Sequence, residues 1–163
     1  MEGKNLLMGV LALAGMLGFG DRATAQSETP QRGGTGIFTL PQDPGSINPD
    51  TTTNVPDRML GCLFYQGMVH ISLDYEVKPL LAKTWSISPD GLTYTFDLVD
   101  AQWSDGQPLV AEDVKYTLLD VSSKLSAVFA SAGRAIDSIE TPTKSQVVIK
   151  LKQPFGPFMI ALS

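Results

Sequence analysis

The chain has 163 residues, 43% hydrophobic and 18% charged, with a formal net charge of -5 and a pI near 4.7. That balance suits one globular domain with a real core, and it argues against a nucleic-acid surface, because twelve basic residues are outnumbered by seventeen acids and form no block. One cysteine and one histidine exclude an intramolecular disulfide and a histidine-rich metal site.

The chain opens on Lys4 and an apolar run from Leu6 to Phe19, then Gly20-Asp21-Arg22 and Ala23-Thr24-Ala25. This pattern predicts a secretory signal over residues 1–25, cleaved after the A-x-A triplet. The run is short for a membrane span. Residues 26–32, polar with Pro30, read as a tether. Leu60-Gly61-Cys62 imitates a lipoprotein cleavage site, but it follows Pro56, Asp57 and Arg58, so Cys62 is expected to be a buried helix residue. Export without lipidation or a disulfide suits a soluble periplasmic protein.

Gly33-Gly34-Thr35 leads into Gly36–Leu40, read as a first strand. Pro41 to Pro49 must be loop, because its three prolines remove backbone donors and fix φ. Irregular backbone of that kind leaves polar groups free for a ligand, or it simply connects. From Pro56 to Met68 the residues Met59, Leu60, Leu63, Phe64, Gly67 and Met68 recur at helical spacing and predict one buried helix face. Val69–Leu73 alternates as a strand with His70 on its solvent side, and Pro79–Lys83 reads as a helical turn.

Trp85 and Ile87 alternate into Ser88-Pro89-Asp90-Gly91, and Leu92, Tyr94, Phe96 and Leu98 alternate out of it. This predicts a β-hairpin with one apolar face. A second turn, Trp103 to Pro108, precedes a helix with the stripe Val110, Val114 and Leu118 and with Glu112 and Asp113 in its first turn. Asp105 with Glu112 or Asp113 could be read as the acids of a secreted hydrolase. Adjacent helix residues point about 100° apart, however, so Glu112 and Asp113 cannot attack one bond from opposite sides. No catalytic residue is assigned and the chain is not expected to be an enzyme. Leu125, Val128, Phe129 and Ala132 suggest a weak helix within Ser122–Ala135. Ile136–Glu140 and Val147–Leu151 make a strand pair about a turn at Pro142–Ser145. Phe158–Leu162 begins an apolar helix with no polar face, which suggests a chain cut short or an end covered by another chain.

In order, these pieces resemble the N-terminal lobe of the family 5 extracellular solute-binding proteins, the peptide, dipeptide and nickel receptors of ABC transporters. The residues concerned are Gly33-Gly34-Thr35, Asp43–Pro49, Tyr65–Val69, Pro79–Trp85, Ser88–Phe96, Trp103–Pro108, Ala111–Val114, Ile139–Pro142 and Pro154–Phe158. Two positions depart from the pattern: Val99 stands where a basic residue is usual, and Val110 stands where a threonine caps the helix, so that helix start is expected to fray.

The resemblance implies a mixed α/β fold, the N-terminal lobe of a periplasmic-binding-protein-like class II fold, with a mixed sheet, β-hairpins and flanking helices. Residues 33–163 would be part of a longer, two-lobed solute-binding domain. It also implies that the hairpin and the Trp103 turn are scaffold, and that the loop residues Pro41, Gln42 and Asp43 line the ligand cleft. There the Asp43 carboxylate could accept hydrogen bonds from a peptide backbone or an ammonium group. The implied partners are a peptide or similar small solute and the permease and ATPase complex of an inner-membrane ABC transporter. A monomer, with no cofactor, metal or nucleic acid, is expected. The alternative is a short secreted interaction module that docks through the apolar stretch Phe158–Leu162.

Overall fold

The structure is a computed structural model that describes residues 33–37 and 39–163. The signal and tether readings at 1–25 and 26–32 lie outside the described residues. By contact density the chain divides into two units, Met1–Ile37 and Phe38–Ser163. Of the first, residues 33–37 are exposed and form no helix or strand.

The second unit is built on a four-stranded sheet. Its strands are β3 (Ala82–Ile87), β4 (Thr93–Leu98), β5 (Ile136–Thr143) and β6 (Gln146–Leu151), in the spatial order β3-β4-β6-β5. Two short strands, β1 (Val69–Ile71) and β2 (Val77–Pro79), pair separately. A mixed sheet is expected from the sequence, yet every pairing among the described residues is antiparallel. For three of the pairings the reason is local, since β1-β2, β3-β4 and β5-β6 are each joined by a short turn and a short turn can only reverse the chain, whereas β4-β6 joins strands far apart in the sequence.

Strict alternation on β4 and β6 decides which face is buried. Tyr94, Phe96 and Leu98 point inward, as do Val147, Ile149 and Leu151. Register places Tyr94 opposite Ile149 and Phe96 opposite Val147, so the large groups meet across the strands. Each fully buried side chain of this size contributes about 1.5 to 3 kcal/mol before entropy is counted. The helical layer supplies the other half of the core. It comprises α2 (Ala111–Tyr116), a wider π-helical segment at Thr117–Ser122, α3 (Ser123–Leu125), α4 (Ala130–Ala135) and α5 (Phe158–Ala161). Val114, Leu118, Phe129, Ala132 and Phe158 join the strand residues in one cluster.

The hairpin expected around Ser88–Gly91 is present, with Ile87 opposite Tyr94 and Trp85 opposite Phe96. Gly91 sits at φ 70°, a conformation that the turn requires and that a Cβ disfavours. Of the predicted stripe, Val114 and Leu118 are buried and Val110 is half-buried, and the π segment takes over after Tyr116.

Several expectations are corrected. Among the described residues of Gly36–Leu40 there is no strand, and Ile37 is 91% exposed: alternation supplies a strand's face but not the partner whose carbonyls complete its ladder. The helix expected over Pro56–Met68 is only α1, Val55–Gly61. It ends in tight turns, with the Leu63 amide donating to the Leu60 carbonyl and the Phe64 amide to Gly61. Met59, Leu63 and Phe64 therefore stand exposed, Cys62 is exposed instead of buried, and only Met68 of the predicted face enters the core. Pro79–Lys83 is not a helical turn but the passage from β2 into β3, held by the Ala82 amide donating to the Met68 carbonyl at 2.8 Å. The strand expected to reach Leu73 stops at Ile71, and Leu73, in the β1-β2 turn, is 99% exposed.

The apolar stretch Phe158–Leu162 is used inside the chain. Phe158 is fully buried, its ring centroid 4.8 Å from that of Tyr94, and Leu162 is buried as well. The Leu162 carbonyl accepts from the Met68 amide at 2.9 Å. A Cβ on Gly67 would lie 2.8 Å from the Ser163 carbonyl carbon, so glycine is what allows this approach. Docking of the whole stretch on a partner would require pulling Phe158 and Leu162 out of the core, and of its five residues only Ile160 is exposed.

Candidate functional site

The loop from Leu40 to Asn54 is the longest irregular segment between the described start of the second unit and its first helix. Pro41, Gln42 and Asp43 are all exposed on it. The following residues are tied down by short-range chemistry. The Asn48 side chain accepts from the Asp50 amide at 2.9 Å and caps a 3-10 turn, Pro49–Thr51. Ser46 Oγ accepts from the Asn48 amide, and Ser46 and Thr51 share a hydroxyl contact at 3.1 Å.

Two carboxylates fasten this loop to the body. Asp57, in the first turn of α1, is buried to 3% exposure. Its Oδ1 accepts from the Gly45 amide and its Oδ2 from the Thr52 hydroxyl, each at 2.9 Å. Asp50 Oδ2 accepts from the Ser122 hydroxyl at 2.8 Å, joining the loop to the end of the π segment. The sequence reading missed both roles. The available signal was an acid placed at a helix start just after a proline- and threonine-rich loop, a position where carboxylates find backbone and hydroxyl donors.

The acids once read as hydrolase candidates have other work. Asp105 Oδ1 accepts from the Gln107 amide at 2.9 Å within the Trp103 turn. Asp113 Oδ2 accepts from the Val110 amide at 2.9 Å and from the Trp103 indole at 3.2 Å. Glu112 accepts from the Thr141 hydroxyl and lies 3.9 Å from Lys115. On the outer face of the sheet, Asp97 accepts from Gln146 at 3.0 Å and from Thr84 at 3.1 Å. These two bonds, the Gln146 bond first, hold its carboxyl below the ordinary value, with Lys83 adding a smaller push the same way. Asp90 is lowered too, by the Ser88 hydroxyl and then by the Leu92 amide. Both are turn or sheet acids, stabilised as carboxylates by scaffold donors.

A recess of about 340 Å³ lies where α4 meets the end of β6, lined by Ser131, Arg134, Ala135, Lys152, Gln153 and Phe155. Lys152 there donates to the Arg134 carbonyl and Arg134 to the Ser131 hydroxyl, and every polar side chain of the rim is exposed. His70, opposite Lys78, is exposed on β1. Among the described residues no group of three or more His, Cys, Asp or Glu side chains could hold a metal ion, and no helix is long and apolar enough to cross a membrane.

The family model for bacterial extracellular solute-binding proteins, family 5 Middle, matches residues 76–163. The nickel-binding periplasmic protein of Escherichia coli is 30% identical over 126 residues, which are 76% of this chain and 24% of that protein. A Brucella ovis protein named for ABC-transporter peptide binding is 51% identical over 81 residues, covering 49% of this chain and 15% of the relative. Among solved structures, NikZ from Campylobacter jejuni in complex with Ni(L-His) superposes with a TM-score of 0.64 at 30% identity, covering 75% of this chain and 25% of the other. The chain belongs to the family 5 bacterial extracellular solute-binding proteins. It spans about a quarter or less of the length of the relatives it matches. The fold is the mixed α/β class II binding-protein fold of those neighbours, in part, and the family is one of binding proteins, not of enzymes.

Proposed function

We propose that this chain forms one wall of a solute receptor for an ABC transporter, a binding protein that captures peptides or similar small solutes in the periplasm and passes them to an inner-membrane permease and its ATPase. The observation that carries this reading is the family match over residues 76–163, which covers the β3-β4 hairpin, the Trp103 turn, α2 and the β5-β6 pair in order. The signal sequence over residues 1–25, cleaved after Ala25, delivers the chain without lipidation. A rigid antiparallel sheet with its acids engaged by scaffold donors supports an exposed loop, and in that loop Pro41, Gln42 and Asp43 face the solute.

Binding energy in a two-lobed receptor comes from burying the solute between lobes, and closure is the signal a permease reads. One wall leaves most of a ligand's surface in water, whereas small-molecule sites bury roughly 70–90% of it. The chain alone therefore binds peptides weakly or not at all. Calorimetric titration with di- and tripeptides and with a nickel-histidine complex checks this: millimolar or absent affinity is the expected result, and micromolar affinity for the isolated chain would overturn the one-wall reading.

A further inference from the structure

Asp57 is a buried carboxylate with no basic partner among the described ion pairs. Burial of an acid is costly unless hydrogen bonds repay it, so a fully buried acid at this position calls for an explanation. Its two oxygens reach in different directions along the chain. Oδ1 takes the amide of Gly45 on the incoming limb of the loop, and Oδ2 takes the hydroxyl of Thr52 on the outgoing limb. Thr52 in turn accepts from the Asn54 amide at 3.0 Å, which carries the connection into the start of α1.

We propose that Asp57 is a positioning residue for the solute-facing loop: its carboxylate latches the two limbs together and thereby fixes where Pro41, Gln42 and Asp43 stand. The functional half of this statement rests on the receptor reading above, while the latch itself rests on the geometry alone. Gly45 lies two residues beyond Asp43, and the described hydrogen bonds of the loop begin at Gly45. The segment Pro41–Pro44 thus extends from the point that Asp57 holds. The Asp50–Ser122 bond fixes the tip of the same loop from the other side, so that the latch sets the angle of the free limb and not the attachment of the loop as a whole.

Amide hydrogen exchange of the full chain, read residue by residue by NMR, tests the latch without any solute. Asp57→Ala removes both accepting oxygens. It is expected to speed exchange at Gly45 by about 10- to 100-fold, the loss of a hydrogen bond to a charged group, while the sheet amides of Leu98 and Leu151 keep their rates. Unchanged exchange at Gly45, or the same acceleration at Gly45 and Leu151, would overturn the proposal, the second by showing that Asp57 supports only global stability. Should Asp57→Ala fail to fold, Thr52→Val decides. It cuts one limb only, and a latch predicts faster exchange on the other limb at Gly45, with Thr52→Ser restoring the native rate. No change at Gly45 in Thr52→Val overturns the coupling. A failed solute titration leaves these outcomes unaffected, so the latch and the receptor reading fail separately.

Discussion

Val110 shows how a residue position can be misjudged and then rescued by its neighbour. An aliphatic side chain cannot accept the orphan amides of a helix start, and fraying is the natural expectation. The structure supplies the missing bond from the other direction, because the Asp113 carboxylate three residues on reaches back to the Val110 amide and also takes the Trp103 indole. One acid thus caps α2 and staples the preceding turn to it. Asp113→Ala is expected to destabilise the chain by about 1 kcal/mol, the usual worth of a cap, seen as a lowered urea midpoint together with a shift in tryptophan fluorescence. An unchanged midpoint would show the bond to be incidental.

Asp97 gives a pH dependence whose sign can be stated. Its carboxyl is depressed in the folded chain by the Gln146 and Thr84 hydrogen bonds, so the unfolded chain binds the proton at higher pH than the folded one. The stability it contributes is present above the ordinary carboxylate pKa and is lost as pH falls through the lowered folded value. Asp97→Asn removes that acid-sensitive part. In urea melts at neutral pH and at about pH 3, the variant should lose less stability between the two conditions than the parent chain, and an equal loss would assign the acid sensitivity elsewhere.

At the scale of elements, the β3-β4 hairpin and the β5-β6 pair are self-specifying, but α5 is not. Four residues of apolar helix have no intrinsic stability in water. What holds α5 is Phe158, closed against Tyr94, and the Leu162 carbonyl that takes the Met68 amide beside β1. Phe158→Ala is expected to cost about 3 to 5 kcal/mol, the range for emptying a buried aromatic site, and to broaden the Tyr94 and Met68 NMR signals. A loss below about 1 kcal/mol would mean the site collapses freely or that α5 is dispensable to the core.

At the scale of the whole molecule, the one-wall reading follows from what the chain spans relative to its family, and it explains the division of labour seen in the residues. Asp90, Asp97, Asp105 and Asp113, in turns, sheet and helix, are engaged with scaffold donors, whereas Pro41, Gln42 and Asp43 are exposed on the loop proposed to meet a solute. The hydrogen bonds of Asp57 and Asp50 make that loop a fixed feature of the body.

How much of this was legible beforehand varies with the distance over which each contact acts. Where one strand and its turn carried both the alternation and the reversal, as in Trp85 to Leu98 and Ile136 to Leu151, the pairing of the strands could be read directly, but not the register shifts within them. The periodic run from Met59 to Phe64 misled because spacing says which residues share a face only while the helix lasts, and this one ends at Gly61. The loop after Leu40 was recognisable as irregular from its prolines. Its fastening was not, since Asp57 reaches back twelve residues to Gly45 and Asp50 meets Ser122 seventy-two residues away.

The sequence by itself therefore determined the hairpins, the turns, the inward faces of β4 and β6, and the family, because each is encoded by neighbouring residues or by an ordered set of short motifs. Only the tertiary structure decided the antiparallel order β3-β4-β6-β5, the short α1, the burial of Phe158 and Leu162 and the latch at Asp57. Those depend on pairs of groups far apart along the chain, and a pattern of single residues carries no record of which distant donor a buried acceptor meets.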